Sequence, residues 1–147
     1  MAATNADAAK ATESQTTGKP HEFESFEEFW PYYVAMHSQP ATRLLHAVGT
    51  LAGAGIALTG LLRGRMLAPV KGALIGYGTA WAVHWLVERN NPATFGYPVW
   101  SAKGDLEMLS MQLQGRDHEL TGIARKWLAD HPEDRSHGSI ALEEEVA

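Results

Sequence analysis

The chain has 147 residues, a formal net charge of −5 with histidine neutral, and no cysteine. This length allows one domain, and the lack of cysteine excludes disulfides, thiolate nucleophiles and zinc–thiolate sites. Nothing in the chain resembles a basic nucleic-acid footprint, so we expect no nucleic-acid partner, and any metal would be held by nitrogen and oxygen ligands.

The two ends of the chain differ in composition from its middle. Residues 1–20 are mostly small and polar and cannot bury enough surface to offset the cost of ordering, which predicts a disordered tail. They lack the basic start and apolar centre of a secretory signal. We predict a second polar, acidic tail over residues 117–147, with a short amphipathic turn at most between Ile123 and Leu128. The domain between the tails, residues 21–116, is predicted to be all-α.

The first predicted helix follows a capping box in which Ser25 is the N-cap and Glu28 reaches back. Pro31 falls inside the helix and should kink or restart it. The helical pattern is aromatic and amphipathic: Phe26, Phe29, Trp30, Tyr33 and Val34. An aromatic segment just before an apolar run favours a membrane interface, and the alternative is a core helix of a soluble protein.

Two apolar runs follow, at about residues 44–62 and 67–88, separated by a tight basic turn at residues 63–65. Each is long enough to cross the hydrocarbon layer of about 30 Å, and together they predict an antiparallel transmembrane hairpin. Gly49 with Gly53, and Gly72 with Gly76, have the small-xxx-small spacing that lets membrane helices approach closely. The alternative is a soluble bundle with two buried helices.

Beyond the hairpin, the Asn-Asn-Pro sequence at residues 90–92 ends the second helix. A further amphipathic helix is predicted from Gly104 to Gln114, with Leu106, Leu109 and Leu113 on one face. It is too short and polar to span a membrane, so it should lie on the surface.

Ionisable residues occur at matching depths in the two apolar runs. His46 lies just inside the start of the first run and His84 just inside the end of the second, so an antiparallel hairpin brings them together. His37 precedes Pro40, where the chain can fold back towards the same point, and Glu88 lies one turn beyond His84. Three imidazoles and one carboxylate predict a metal site suited to Fe(II), Mn(II) or Zn(II). Alternatively, His37 is an ordinary turn residue, and His46 and His84 bond to each other or to Glu88 as structural links between helices.

The order of these residues resembles that of a known family. Residues 37–49 read His-Ser-Gln-Pro-Ala-Thr-Arg-Leu-Leu-His-Ala-Val-Gly, and residues 84–93 read His-Trp-Leu-Val-Glu-Arg-Asn-Asn-Pro-Ala. Both are similar to motifs of small multi-pass membrane proteins related to the Fe(II)-dependent 2-hydroxy fatty acid dioxygenase of α-oxidation. The Tyr-Pro-Val-Trp sequence at residues 97–100, followed by Gly104-Asp105, is similar to shorter members.

The resemblance implies that His37, His46 and His84 are metal ligands for iron. The characterised dioxygenase has a further histidine motif without a counterpart here, so Glu88 or water is expected to fill that position. A 2-hydroxy acid would chelate Fe(II) and be shortened by one carbon with O2. On this chemistry we predict Arg43 and Glu88 as catalytic residues, with the Arg43 guanidinium binding the substrate carboxylate.

The expected partners are membrane lipid and a fatty-acid-like substrate, in a bacterial inner membrane or the endoplasmic reticulum. Two helices bury little surface, so flanking helices or a second copy in a homo-oligomer should pack against them. Three alternatives stay open: a non-catalytic membrane hairpin that dimerises or docks a partner, a Zn(II)-dependent lipid hydrolase, and a soluble helical protein.

Overall fold

Five α-helices account for most of the computed structural model, which describes residues 21–140. A π-helical segment at His84–Glu88 continues the third helix, and the described residues contain no strand. The all-α prediction is confirmed, while residues 1–20 and the last seven residues of the predicted tails lie outside the described part of the chain. In chain order the helices are α1 (Phe26–Ala35), α2 (Pro40–Leu62), α3 (Ala68–Val83), α4 (Pro98–Leu113) and α5 (Asp117–Asp130).

The helices α2 and α3 form the predicted hairpin, and they touch backbone to backbone at two glycines. A Cβ atom on Gly53 would lie 2.5 Å from the carbonyl oxygen of Gly72, and one on Gly72 would lie 2.3 Å from the carbonyl oxygen of Gly53. Both distances are far below van der Waals contact, so only residues without a side chain allow this approach. The crossing holds the two histidine-bearing ends of the hairpin side by side.

The bounds of the hairpin helices differ from the two predicted spans. Helix α2 begins at Pro40, where proline suits the first turn, and its 23 residues cover about 34 Å. Helix α3 has 16 residues, about 24 Å, because the chain changes to π-helical geometry at His84. Among the described residues, α2 alone is long and apolar enough to cross a membrane. The first predicted span thus has a helix of suitable length and apolarity, while the second, which the π-helical segment extends to Glu88, stays a prediction.

Helix α1 packs into the core of the protein, and its expected position at a membrane interface stays a prediction. Phe29 and Val34 are fully buried, and Tyr33 is almost so. Ser25 caps the helix by accepting from the Glu28 amide at 3.2 Å, while the Glu28 carboxylate accepts from the Glu24 amide at 3.1 Å. The helix continues through Pro31.

Helix α5 replaces the first half of the predicted C-terminal tail. Leu120, Ala124 and Leu128 recur every four residues, are fully buried, and belong to the same core as α1. A four-residue spacing places all three on one face of a helix. Polar residues lie between them, so the overall composition of the segment is polar and does not reveal this apolar face. The boundary predicted at residue 117 is corrected accordingly.

The outer face of the hairpin is apolar, and none of the other residues that the structure describes covers it. Only 22% of the most apolar window of α2 is buried. This outer face is formed by Leu44, Val48, Leu51, Leu58, Leu62, Leu67, Val70 and Leu74, all exposed. A patch of this extent is typical of a surface that meets lipid or another protein.

Candidate metal centre

Three histidines from three different elements meet at the open end of the hairpin. His37 lies in the turn between α1 and α2, His46 in the second turn of α2, and His84 at the start of the π-helical segment. One ring nitrogen from each lies within 4.8 Å of those from the other two. All three side chains are buried, so the cluster is enclosed by protein.

The position of His37 is set by its own turn. Its Nδ1 donates to the carbonyl oxygen of Tyr33 at 2.6 Å, and the Arg43 guanidinium donates to its backbone carbonyl at 3.1 Å. Burial and the neighbouring imidazoles of His46 and His84 hold the pKa of His37 well below its usual range. The ring is therefore neutral, which is the form that binds metal.

The position of His46 depends on helix α4. Its Nδ1 lies 3.0 Å from Oδ1 of Asp105, and the same oxygen accepts from the Tyr33 hydroxyl at 2.5 Å. Burial and Asp105 raise the pKa of Tyr33 well above its usual range, so the hydroxyl keeps its proton. Gly104 permits this contact, because a Cβ atom there would lie 2.8 Å from the Tyr33 ring.

The position of His84 depends on the π-helical segment. That segment ends at Arg89, a non-glycine residue in the left-handed conformation, and the reversal brings the Asn90 side chain back to His84. The Asn90 amide nitrogen donates to the Met36 carbonyl at 3.0 Å, so its oxygen faces Nδ1 of His84 at 2.8 Å. Local π-helical turns recur at functional sites, and here the turn orients a ring.

The three rings share one hydrogen-bonding state. Each Nδ1 faces an oxygen acceptor, and in a neutral ring that donates from Nδ1 the lone pair belongs to Nε2. Nε2 of His37 and Nε2 of His46 are buried and have no hydrogen-bond partner. A buried acceptor without a partner is costly, and a second shell that holds Nδ1 is the usual arrangement around metal-bound histidine. The residues present therefore fit a divalent first-row metal with three nitrogen ligands and open positions.

Residues 23–117 match the protein family described as 2-hydroxy-palmitic acid dioxygenase Mpo1-like. The chain belongs to this family. The match spans more than half of the sequence and confirms the resemblance seen in the two histidine motifs. No curated protein and no solved structure matches the chain significantly. Membership of the Mpo1-like family relates the chain to 2-hydroxy fatty acid dioxygenases.

Glu88, which was predicted beside the histidines, lies within the family segment and bonds to the two residues that follow His37. Its carboxylate accepts from the Ser38 hydroxyl at 2.9 Å and from the Gln39 amide at 2.6 Å, at the start of α2. It is fully buried and does not belong to the histidine cluster. In this geometry Glu88 connects the π-helical segment to the turn that carries His37.

Arg43 is also fully buried, and its guanidinium is saturated by the protein. It donates to both oxygens of Asp117 at 2.8 and 2.6 Å and to the Thr121 hydroxyl at 2.7 Å. It also donates to the carbonyls of His37 and Ser38. These contacts use all five N–H groups of the side chain, so none is left for a substrate carboxylate.

Sequence reasoning missed the residues that orient the cluster. These residues are Tyr33 and Asp105 on helices, Asn90 in the turn after the second apolar run, and Asp117 at the start of α5. Asp105 belongs to the Gly104-Asp105 pair that is similar to shorter family members, and this similarity is the one feature of the sequence that could have identified it. Asn90 and Asp117 carried no such signal, because their partners come from contacts formed only in the folded chain.

Proposed function

We propose that this protein is a membrane-bound, Fe(II)-dependent oxygenase that shortens 2-hydroxy fatty acids by one carbon. The observation that carries the proposal is the buried cluster of three imidazoles, in which each Nδ1 faces an oxygen acceptor and Nε2 of His37 and of His46 has no hydrogen-bond partner. The family relationship supports the substrate class.

His37, His46 and His84 would hold the metal. Bound Fe(II) supplies the reaction with O2 that cleavage of the C1–C2 bond of a 2-hydroxy acid requires. The protein holds the Nδ1 edge of each ring against an oxygen acceptor, and it excludes water by burying the rings. The ligand set alone also suits Zn(II) or Mn(II), so the identity of the metal is a result to be measured.

We assign Arg43 and Glu88 to positioning rather than to contact with the substrate. Arg43 holds the backbone of the turn that carries His37, and Glu88 holds the start of α2. Both act on the reaction through the histidines. This replaces the catalytic roles expected from the sequence.

The uncovered outer face of the hairpin supports a membrane location, in a bacterial inner membrane or the endoplasmic reticulum. The histidine cluster lies at the end of the hairpin that is nearest to α1, α4 and α5. Such a site suits a substrate with a polar head and an acyl chain in lipid.

The proposal is tested by purification in detergent under anaerobic, reducing conditions, followed by metal analysis by mass spectrometry. Wild type is expected to hold near-stoichiometric iron, and His46→Ala and His84→Ala are expected to lose it. His118→Ala is the matched control, because His118 is exposed on α5 and away from the cluster. The iron-loaded wild type should then shorten 2-hydroxy fatty acids only when O2 is present.

Other outcomes would point to different functions. Stoichiometric zinc together with O2-independent turnover of lipid would replace the oxygenase with a hydrolase. A wild type that binds no metal after Fe(II) is added back would make the cluster structural and leave a hairpin that docks a partner.

A further inference from the structure

A groove of about 320 Å³ runs along the hairpin beside helix α4. Most of the side chains that line it are small and apolar, and polar side chains occur at Thr50, Tyr77 and Asp105. The residues that line it are Thr50, Gly53, Ala54, Ala57, Gly72, Ala73, Gly76, Tyr77, Ala80, Ala102, Asp105 and Leu106.

The groove continues the helix faces that carry the histidines. On α2, Thr50 follows His46 by four residues and Ala54 follows Thr50 by four, so all three share one face. On α3, Ala80 and Gly76 precede His84 at the same spacing. Asp105 belongs to both sites, since it lines the groove and accepts from His46 Nδ1 at 3.0 Å. His46 itself is buried with an unpartnered Nε2 at the head of this face.

The polarity of the groove matches a ligand with a polar head and an apolar tail. Thr50 and Asp105 stand at the end nearest the cluster, and Tyr77 lies on α3 between Gly76 and Ala80. From Gly53 to Ala57 and from Gly72 to Ala73 the lining offers no polar side chain. Burial of the methylene groups of an acyl chain against such a lining is favourable, because it removes apolar surface from water. The glycine and alanine residues of the lining leave the groove wide enough for an acyl chain.

We propose that this groove binds the acyl chain of the fatty-acid substrate, with the polar head at the histidine cluster and the chain running towards Ala54 and Ala73. The inference rests on the proposed function for its substrate class. From Thr50 to Ala57 the groove follows α2 for about 10 Å. It therefore holds the part of the acyl chain nearest the head, and the remainder continues into lipid.

The first test compares two neighbouring alanines on α2. Ala54→Leu places a larger side chain in the groove, whereas Ala52→Leu makes the same change on an exposed position that does not line it. Both residues are exposed, so neither change overpacks a core. Ala73→Leu narrows the opposite wall and serves as the second variant.

The expected result is a change in chain-length preference. With Ala54→Leu and Ala73→Leu, the ratio of kcat/KM for long over short 2-hydroxy acids should fall about tenfold or more. Ala52→Leu should keep the wild-type ratio, and all three variants should keep wild-type iron content. If Ala54→Leu and Ala52→Leu had equal ratios of kcat/KM for long over short acids, the proposal that the groove binds the acyl chain would be overturned.

A second readout does not depend on turnover. A 2-hydroxy fatty acid that carries a diazirine in mid-chain is photolysed on the protein in detergent, and the labelled peptides are identified by mass spectrometry. Label is expected on residues around Ala54 and Ala73 in wild type and Ala52→Leu, and is expected to fall in Ala54→Leu. Label confined to the outer face of the hairpin, around Leu51 or Leu74, would place the chain in lipid and overturn the proposal.

The two readouts separate this inference from the proposed function. Groove labelling without O2-dependent shortening would support the groove and refute the oxygenase. Shortening with an unchanged profile in both groove variants would support the oxygenase and refute the groove. If Ala54→Leu dissociates a dimer in detergent and leaves the profile unchanged, the groove is a contact between two copies and the inference fails.

Discussion

At the scale of single residues, the orientation of His46 depends on Asp105. One carboxylate oxygen accepts from both the imidazole and the Tyr33 hydroxyl, so it connects α1, α2 and α4 at one point. Tyr33 itself lies against His37, with ring centroids 4.3 Å apart. A change at Asp105 should therefore alter the ligand geometry without removing a ligand.

Asp105→Asn is expected to lower iron affinity by about 10–100-fold, because an amide is a weaker acceptor for the Nδ1–H of His46. Iron content and the dissociation constant, measured by anaerobic titration in detergent, check this. Glu107→Gln, an exposed change on the same helix, is the control and should bind like wild type. Unchanged affinity in Asp105→Asn would mean that the carboxylate does not orient His46.

A second residue-scale prediction concerns acid stability. The Arg43 guanidinium donates to Asp117 and lowers the pKa of its carboxyl. Because the folded-state pKa is below the unfolded one, the stabilisation is complete above the unfolded pKa, near the ordinary value of 3.8, and disappears as the pH falls through the folded pKa. Asp117→Asn should cost about 2–3 kcal/mol at neutral pH, because it leaves a buried guanidinium without its anion.

The acid dependence is measured by thermal unfolding between pH 3 and pH 7. The loss of stability below about pH 4 should be smaller in Asp117→Asn than in wild type. Glu119→Gln removes an exposed pair with Arg116 and should keep the wild-type pH profile. Parallel profiles for wild type and Asp117→Asn would contradict the role of this pair.

At the scale of elements, the α2–α3 crossing depends on the backbone contact between Gly53 and Gly72. Gly53→Ala would place a Cβ atom 2.5 Å from the Gly72 carbonyl oxygen, so the helices must separate. We expect a loss of about 1–3 kcal/mol, measured by unfolding in detergent. Gly55→Ala is the same change two residues away, where a Cβ meets nothing, and it should stabilise the helix by up to about 1 kcal/mol. Equal effects of the two variants would mean that the crossing tolerates a side chain.

At the scale of the whole molecule, a charge on the outer face of the hairpin tests whether that face lies in a bilayer or in water. Leu51 lies at the middle of α2 and is 52% exposed. In a bilayer, Leu51→Arg should oppose insertion by about 2.5–3.5 kcal/mol, whereas on a water-exposed surface the same change is close to neutral.

The measurement is the share of protein that stays with membranes after alkaline carbonate extraction. Wild type and the apolar control Leu51→Phe should remain in the pellet, and Leu51→Arg should shift to the supernatant or fail to accumulate. Wild type recovered in the aqueous fraction would make the protein soluble and assign the outer face to another protein surface.

The sequence by itself determined the helical class, the hairpin, its glycine contacts and the three histidines of the cluster. These follow from local pattern: apolar runs, small-residue spacing and matching depths in two antiparallel helices. The family was evident for the same reason, since its motifs consist of neighbouring residues.

Tertiary structure alone decided the burial of α1, the existence of α5, and the partners of Arg43 and Glu88. Each depends on contacts between residues far apart in the chain, such as Arg43 with Asp117 or Glu88 with Ser38. A charged side chain has the same local pattern whether it faces a substrate or a buried partner. Only the folded chain shows which donors already have acceptors. Because all five N–H groups of Arg43 do, we propose that it supports the turn that carries His37 and does not bind the substrate.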